Sequence, residues 1–378
     1  MKILEILIED EMVGRAHLTH PEDLIYIAGS QGAKFALQAI ENTVSNPKTI
    51  TIKYDGYPAI IWGYDNQLQF GVMDKHMFNK GVRTLGTSRD FINYDMQRGA
   101  DRTNLHRALA AVWPSLQTST PKQPGYYWGD MLFTEPLTIK PDGTYTFRAN
   151  PKGIIYKVQA DSTIGKLLAG KQAGIAVHQI INANAANLDQ ENAAASLNGT
   201  LGGLRPAGNL AILPSEMPIT PELKVNKRLL SSATSTVNSL GSEVDKLFDA
   251  SPISLNVLRT YYLSPFINQQ IIGQQNFSNL LPRFQQFAQA RAKNERAKQV
   301  MDNYILSNQK GFLALFKIWL AILNLKESLI PQLDKASQSS PVQGYLESGD
   351  PSQEGYVANG VKFVRRLGGF AAQIHSAR

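Results

Sequence analysis

Between Thr51 and Trp62 the chain runs Thr51-Ile52-Lys53-Tyr54-Asp55-Gly56-Tyr57-Pro58-Ala59-Ile60-Ile61-Trp62, and this stretch constrains the fold more than any other. It is apolar enough for a buried strand, yet it carries a lysine and an aspartate two residues apart. Side chains at i and i+2 of a strand point to one face, so Lys53 and Asp55 are expected to project together into one pocket. An unpaired charge is costly to bury, so Lys53 must be paired or functional. Gly56 permits a tight turn and lets a ligand approach the backbone.

Strands are expected on both sides of this segment, which leads through a turn at Tyr64-Asp65-Asn66 into Leu68–Met73. Further strands are read at Gly125–Phe133, Thr144–Phe147, Gly153–Val158, Gly174–Ile181 and Asn209–Leu213. A capping box at Thr19–Glu22 and apolar spacing over Gln31–Val44 predict helices before the first strand. Another helix is expected at Leu105–Leu116. From Pro221 to Ala336 the pattern is helical, Ser337–Gln353 reads as a loop, and Glu354–Arg366 is again strand-like. The Asn- and Ala-rich segment 183–203 carries little information.

The chain has no cysteine, which removes disulfides, iron–sulfur clusters, zinc thiolates and cysteine nucleophiles. None of its six histidines (His17, His20, His76, His106, His178, His375) pairs with another at metal-ligand spacing on a helix. Acids interrupt the apolar amino-terminal run Met1–Asp10, so no signal peptide is expected. No stretch stays apolar for the ~18 residues of a membrane span. Leu313–Leu323 comes closest and contains Lys317. A cytoplasmic protein without a membrane partner is expected. The net charge of +7 favours a polyanionic partner such as nucleic acid.

Lys53-x-Asp55-Gly56 resembles the nucleophile motif of the covalent nucleotidyltransferases, the superfamily of ATP-dependent DNA ligases, RNA ligases and mRNA capping enzymes. Four further segments follow in the order that the resemblance requires. Phe70–His76 resembles the second strand of the nucleophile hairpin, with Lys75 in the place of a phosphate-contacting arginine. Tyr126–Phe133 resembles the Gly-Glu strand, with Asp130 replacing the usual glutamate. Ile154–Val158 and Ala173–His178 stand where an aromatic is normally placed under adenine. There Tyr156 or the aliphatic faces of Ile175 and Val177 would serve, and His178 itself reads as a satisfied core histidine. Glu354-Gly355-Tyr356-Val357 resembles the metal-binding carboxylate motif. Lys362 resembles the last lysine, which holds the α-phosphate, and Arg365 substitutes for the missing second cation.

The resemblance implies an α+β fold. An antiparallel-sheet nucleotidyltransferase core (ATP-grasp-like, the adenylation domain of ligases) would comprise residues 1–215 and 350–378. A helical domain would be inserted over 216–349, with no C-terminal OB-fold. That departure from cellular ligases makes the chain more similar to phage-encoded ligase-like proteins, which act in the infected host cell. The implied activity is an ATP-dependent polynucleotide ligase that uses ATP and Mg2+ (or Mn2+). Lys53 would be catalytic; Ile52, Asp55, Gly56, Lys75, Asp130, Tyr156, Val177, Lys362 and Arg365 would bind the nucleotide; Glu354 and Asp130 would hold the metal. Arg283, Arg291, Lys293, Arg296 and Lys298, with Phe284 and Phe287 interleaved, could track a phosphate backbone, DNA or RNA, or be a solvated face. A monomer is expected. The alternatives are a nucleic-acid-binding or virion-associated protein without turnover, and a GTP-using capping-type enzyme.

Register offers a separate expectation. To bring Glu354 and Lys362 to one face, the last hairpin needs a three-residue bulged loop, Ala358-Asn359-Gly360. That loop would pair Val357 with Val361, and Gly360 would have a positive φ.

Overall fold

The structure is a computed structural model that describes residues 19–83, 85–99, 102–150, 153–188, 193–272 and 277–367. The Met1–Asp10 run, His17 and His375 lie outside these residues, as do 1–18 and 368–378 of the expected core and 189–192 of the Asn- and Ala-rich segment.

The first half of the chain supplies β1 (Thr51–Lys53), β2 (Ala59–Tyr64), β3 (Phe70–Met73), β4 (Gly125–Phe133), β5 (Thr144–Arg148) and β6 (Ile155–Gln159). Next come β7 (Ala173–Ile181), β8 (Ala194–Ser196), β9 (Leu210–Pro214) and β10 (Glu216–Pro218). The end of the chain adds β11 (Val342–Tyr345), β12 (Gly355–Ala358) and β13 (Val361–Phe363). They form a four-stranded sheet β10-β1-β12-β13, a three-stranded sheet β11-β6-β5, and a six-stranded sheet β3-β2-β4-β7-β8 with β9 added beside β7. β9 runs parallel to β7, and the other pairings are antiparallel. The fold class is thus mixed α and β with antiparallel sheets, as the strand and helix patterns require.

Helix α1 (Ile25–Ser45) buries Ala33, Ala36, Leu37 and Ile40, a one-sided stripe at helical spacing. Helices α2 (Lys75–Asn79), α3 (Ser88–Gln97) and α4 (Thr103–Ser119) contribute to the core of the six-stranded sheet, and α5 (Thr163–Leu168) follows β6. The helical stretch holds α6 (Lys227–Asp249), α7 (Ser264–Ile272), α8 (Leu280–Arg291), α9 (Glu295–Ser307), α10 (Gln309–Glu327) and α11 (Ile330–Ser337).

Several expectations change. Thr51–Trp62 is two strands in two different sheets, because the chain turns between Lys53 and Ala59. The Thr19–Glu22 capping box does not form. Pro21–Leu24 is a 3-10 turn without a side-chain cap, and Glu22 is instead fully buried with Lys326 Nζ at 2.7 Å. The loop Ser337–Gln353 contains β11. The boundary at 216 falls inside a sheet, since β10 pairs with β1. One hydrophobic core joins Ile52 of β1, Tyr356 and Phe363 of the last hairpin and the apolar faces of α1, α6 and α10. The helical stretch therefore shares the core of the four-stranded sheet.

The last hairpin also differs from expectation. Its register pairs Ala358 with Val361 and Val357 with Lys362, around a two-residue turn. Asn359 (φ 49) and Gly360 (φ 74) are both left-handed, the pattern of an Asn-Gly type I′ turn, whose twist matches the flanking strands.

Candidate functional site

Lys53 ends the interior strand β1, with Glu216 of β10 opposite it on one side and Gly355 of β12 on the other. Its ammonium is ion-paired with the Asp55 carboxylate, so the two side chains meet as their spacing predicts. The turn after them is held by two carboxylates. The Asp55 N–H donates to Glu354 Oε2 at 2.7 Å, and the Gly56 N–H to Asp130 Oδ2 at 3.2 Å. The Tyr57 N–H donates to the Met131 carbonyl at 3.0 Å. Gly56 is required here: a Cβ would lie 2.2 Å from that same carbonyl oxygen.

Asp130 lies on β4 and receives His178 Nε2 at 2.9 Å. The register between β4 and β7 shifts at this point, with Trp128 opposite Gln179 and Gly129 opposite Val177. His178 is the extra residue of this β-bulge, a device that re-aims a side chain. Lys75, at the start of α2, puts its Nζ 4.1 Å from the centre of the Trp128 ring, beside Asp130.

Burial holds the Lys53 ammonium below the usual lysine value; the carboxylates of Asp130 and Glu354 oppose this and Lys362 reinforces it. Burial likewise lowers Lys75, against Asp130. Glu354 is pushed up to about 8 by burial, with Lys53 opposing. The fully buried Tyr156 hydroxyl lies against that carboxyl but makes no hydrogen bond of good geometry among the described residues. Burial also raises Asp130, but the His178 contact, the Gly56 N–H and Lys53 outweigh it and leave its carboxyl below the usual range.

The structure thus gathers Lys53, Asp55, Gly56, Lys75, Asp130 and Glu354. Lys362 stands differently: the charges around it are Arg366, Asp23, Glu22 and Lys326, although it faces the same side of the sheet as Lys53. The two-residue turn sets it opposite Val357, itself opposite Thr51, so it shares the face of Thr51 and Lys53. Glu354 needs no place on that face, because it precedes β12 and reaches the turn from the strand end.

Other expected residues stand elsewhere. Ile52 is fully buried on the opposite face of β1. Val177 is fully buried in the core of the six-stranded sheet, so its side chain cannot meet a base. Tyr156 is fully buried, edge-on to Tyr54 at 5.5 Å and tilted on Phe147 at 5.3 Å, which leaves only its hydroxyl near the site. Arg365 donates to Asp334 Oδ2 at 2.7 Å, and the Tyr356 hydroxyl donates to Oδ1 of the same carboxylate.

On the helical stretch, Phe284 is fully buried and packs on Phe266 and Phe312 rather than interleaving with exposed cations. Arg291 lies over Tyr261, 4.4 Å from its ring centre. Arg283 Nη1 donates to the Ser278 carbonyl, and Lys298 lies 3.9 Å from Glu295. Lys293 and Arg296 are exposed. Residues that the sequence did not single out are Glu216, facing Lys53, and His178, read there as core.

Glu354 Oε2 accepts from the Asp55 N–H, and burial pushes its carboxyl up to about 8. Asp55, Asp130 and His178 form a second candidate metal set, with ligand atoms within 4.8 Å of one another.

No helix among the described residues is long and apolar enough to cross a membrane. A protein-family model described as "Family of unknown function (DUF6267)" matches residues 15–375. No curated protein and no solved structure matches the chain.

Proposed function

The chain belongs to DUF6267, a family of unknown function, and from the chemistry of its site we propose that it is an ATP-dependent polynucleotide ligase with Lys53 as nucleophile. One observation carries this reading: Asp130 and Glu354, from segments far apart in the chain, both bond the Asp55–Gly56 turn that follows Lys53.

Lys53, as the free amine, attacks the α-phosphorus of ATP. A P–N bond forms, the bond to the bridging oxygen breaks, and pyrophosphate leaves. A 5′-phosphate oxygen then takes the AMP from Lys53, and a 3′-hydroxyl displaces AMP to form the phosphodiester. In-line transfer of this kind needs positioning and charge stabilisation. Lys75 and Lys362 supply fixed positive charge for the phosphates, and the two carboxylates that hold the Asp55–Gly56 turn fix the position of the nucleophile. A divalent cation, when bound, offsets charge on the triphosphate. The nucleic acid would meet the exposed Lys293 and Arg296.

The test is incubation of the full chain with α-labelled ATP or GTP in Mg2+ or Mn2+. An acid-sensitive adduct with ATP, abolished in a folded Lys53→Ala variant, is the expected result. An adduct with GTP alone would make the protein a capping-type enzyme. No adduct with either nucleotide, or full labelling of the variant, overturns the reading and leaves a binding protein.

A further inference from the structure

We propose that Asp55, Asp130 and His178 form a binding site for a first-row transition-metal dication of the Mn2+ type. The proposal concerns the pocket of the ligase reading but does not rest on it, since ion binding needs no turnover.

The three residues come from separate elements: the turn after β1, the middle of β4 and the bulge of β7. The bulge turns the His178 imidazole towards the Asp130 carboxylate, and both side chains are part-buried. Ligands about 2.1 Å from a six-coordinate ion lie about 3 Å apart when cis and about 4.2 Å apart when trans. His178 Nε2 and Asp130 Oδ2, 2.9 Å apart, have the spacing of a cis pair, and an ion bound by both would replace the contact they now make with each other. Asp55 lies within the 4.8 Å that encloses all three donors, and its half-exposed side chain can turn towards the other two.

Donor chemistry then selects the ion. Mg2+ favours oxygen ligands and gives up water reluctantly, whereas imidazole suits first-row transition metals. Two carboxylates and one imidazole balance a dication in charge and leave the other positions to water or to phosphate oxygens. Lys53, now ion-paired with Asp55, and Lys75, over the Trp128 ring, border the site; an ion that takes Asp55 would release the Lys53 side chain towards the same phosphates.

Titration calorimetry of the full chain with MnCl2 and with MgCl2, in the absence of nucleotide, tests the assignment. Mn2+ should bind at one site at least about tenfold more tightly than Mg2+. His178→Gln should weaken Mn2+ at least about tenfold, because even outer partners of metal ligands cost that much, and should move Mg2+ less than about twofold. Asp55→Asn, on the turn and outside the packed sheet, should weaken Mn2+ as well and keeps the test valid if the histidine variant does not fold. Glu354→Gln, which disturbs the turn that carries Asp55 but removes no ligand, should weaken Mn2+ less than His178→Gln does. Equal affinity for both ions, Mn2+ binding indifferent to His178→Gln and Asp55→Asn, or loss confined to Glu354→Gln would overturn the assignment. Lys53→Ala separates the two proposals: it should abolish labelling and keep the Mn2+ site.

Discussion

At the scale of single residues, Gly56 binds the site together. A methyl group there would lie 2.2 Å from the Met131 oxygen and 3.2 Å from Asp130 Cβ, with backbone rather than a flexible chain end in the way. Gly56→Ala should therefore cost about 2–3 kcal/mol, the upper range for overpacking, and reduce Lys53 labelling in parallel. Urea unfolding checks the first, and a loss below about 0.5 kcal/mol, the scale of an inert surface change, would mean that the turn is not pinned to β4. Lys53, Asp55 and Gly56 were legible in the sequence because a lysine, an aspartate and a glycine so close together on an apolar stretch are a local signal, although Asp55 and Gly56 lie in the turn after β1 and not on the strand. His178 was not, since a bulge is a property of two paired strands and leaves no mark on one. Glu216 was missed because a three-residue strand gives too short a pattern. Val177 and Ile52 failed by parity: each sits one residue from a site residue and points into a core.

At the scale of elements, the last hairpin shows how a functional demand can mislead. A bulged loop followed from requiring Glu354 and Lys362 to share a face, although Asn359-Gly360 alone indicates a two-residue turn. Glu354 meets the site from outside the strand, so the demand was unnecessary. Helices α3 and α4 offer a clearer lever, because their charges hold the start of α2, where Lys75 sits. Asp95, fully buried, accepts from Arg98 Nε and Arg102 Nε at 2.8 Å each and contacts His106 Nε2 at 2.7 Å. Arg98 and Arg102 also pair with Asp74, which caps α2 through the Met77 N–H. Burial raises Asp95, but Arg102, His106 and Arg98 outweigh it and bring the carboxyl from 3.8 to about 2. A carboxyl lowered by folding stabilises above its ordinary value and loses that contribution as pH falls towards the folded value. The wild type should thus lose stability between about pH 4 and pH 2, and Asp95→Asn should flatten that limb and lower the neutral plateau by at least about 2 kcal/mol. Denaturant titrations across this pH range decide it; a variant with an unchanged acid limb would assign the loss to other carboxylates.

At the scale of the whole molecule, the question is whether the helical stretch is an inserted domain, as the change of pattern near 216 suggested. Hydrophobic periodicity reveals helices but not their partners, so a shared core was invisible in the sequence. Charge ties the parts together as well as packing. Lys326 of α10, fully buried, meets Glu22 Oε1 at 2.7 Å and donates to the Val364 carbonyl at 2.8 Å, which joins the helices to both the amino-terminal turn and the last hairpin. Arg366 pairs with Asp23 at 2.7 Å, and the Trp319 indole of α10 donates to the same carboxylate at 2.9 Å. Removing one partner of a buried pair costs about 3–5 kcal/mol, because the other charge is left uncompensated. Lys326→Met should destabilise by that amount, and adding Glu22→Gln should recover part of the loss, since the two changes are coupled. The tryptophans make the outcome readable by region: Trp319 reports on the helices, while Trp62, Trp113 and Trp128 report on the six-stranded sheet. If the helices are integral to the fold, urea transitions followed at Trp319 alone and at the other three should coincide, and Lys326→Met should shift both together. A Trp319 transition that moves while the sheet signal stays in place would restore the helical stretch as a separable insertion.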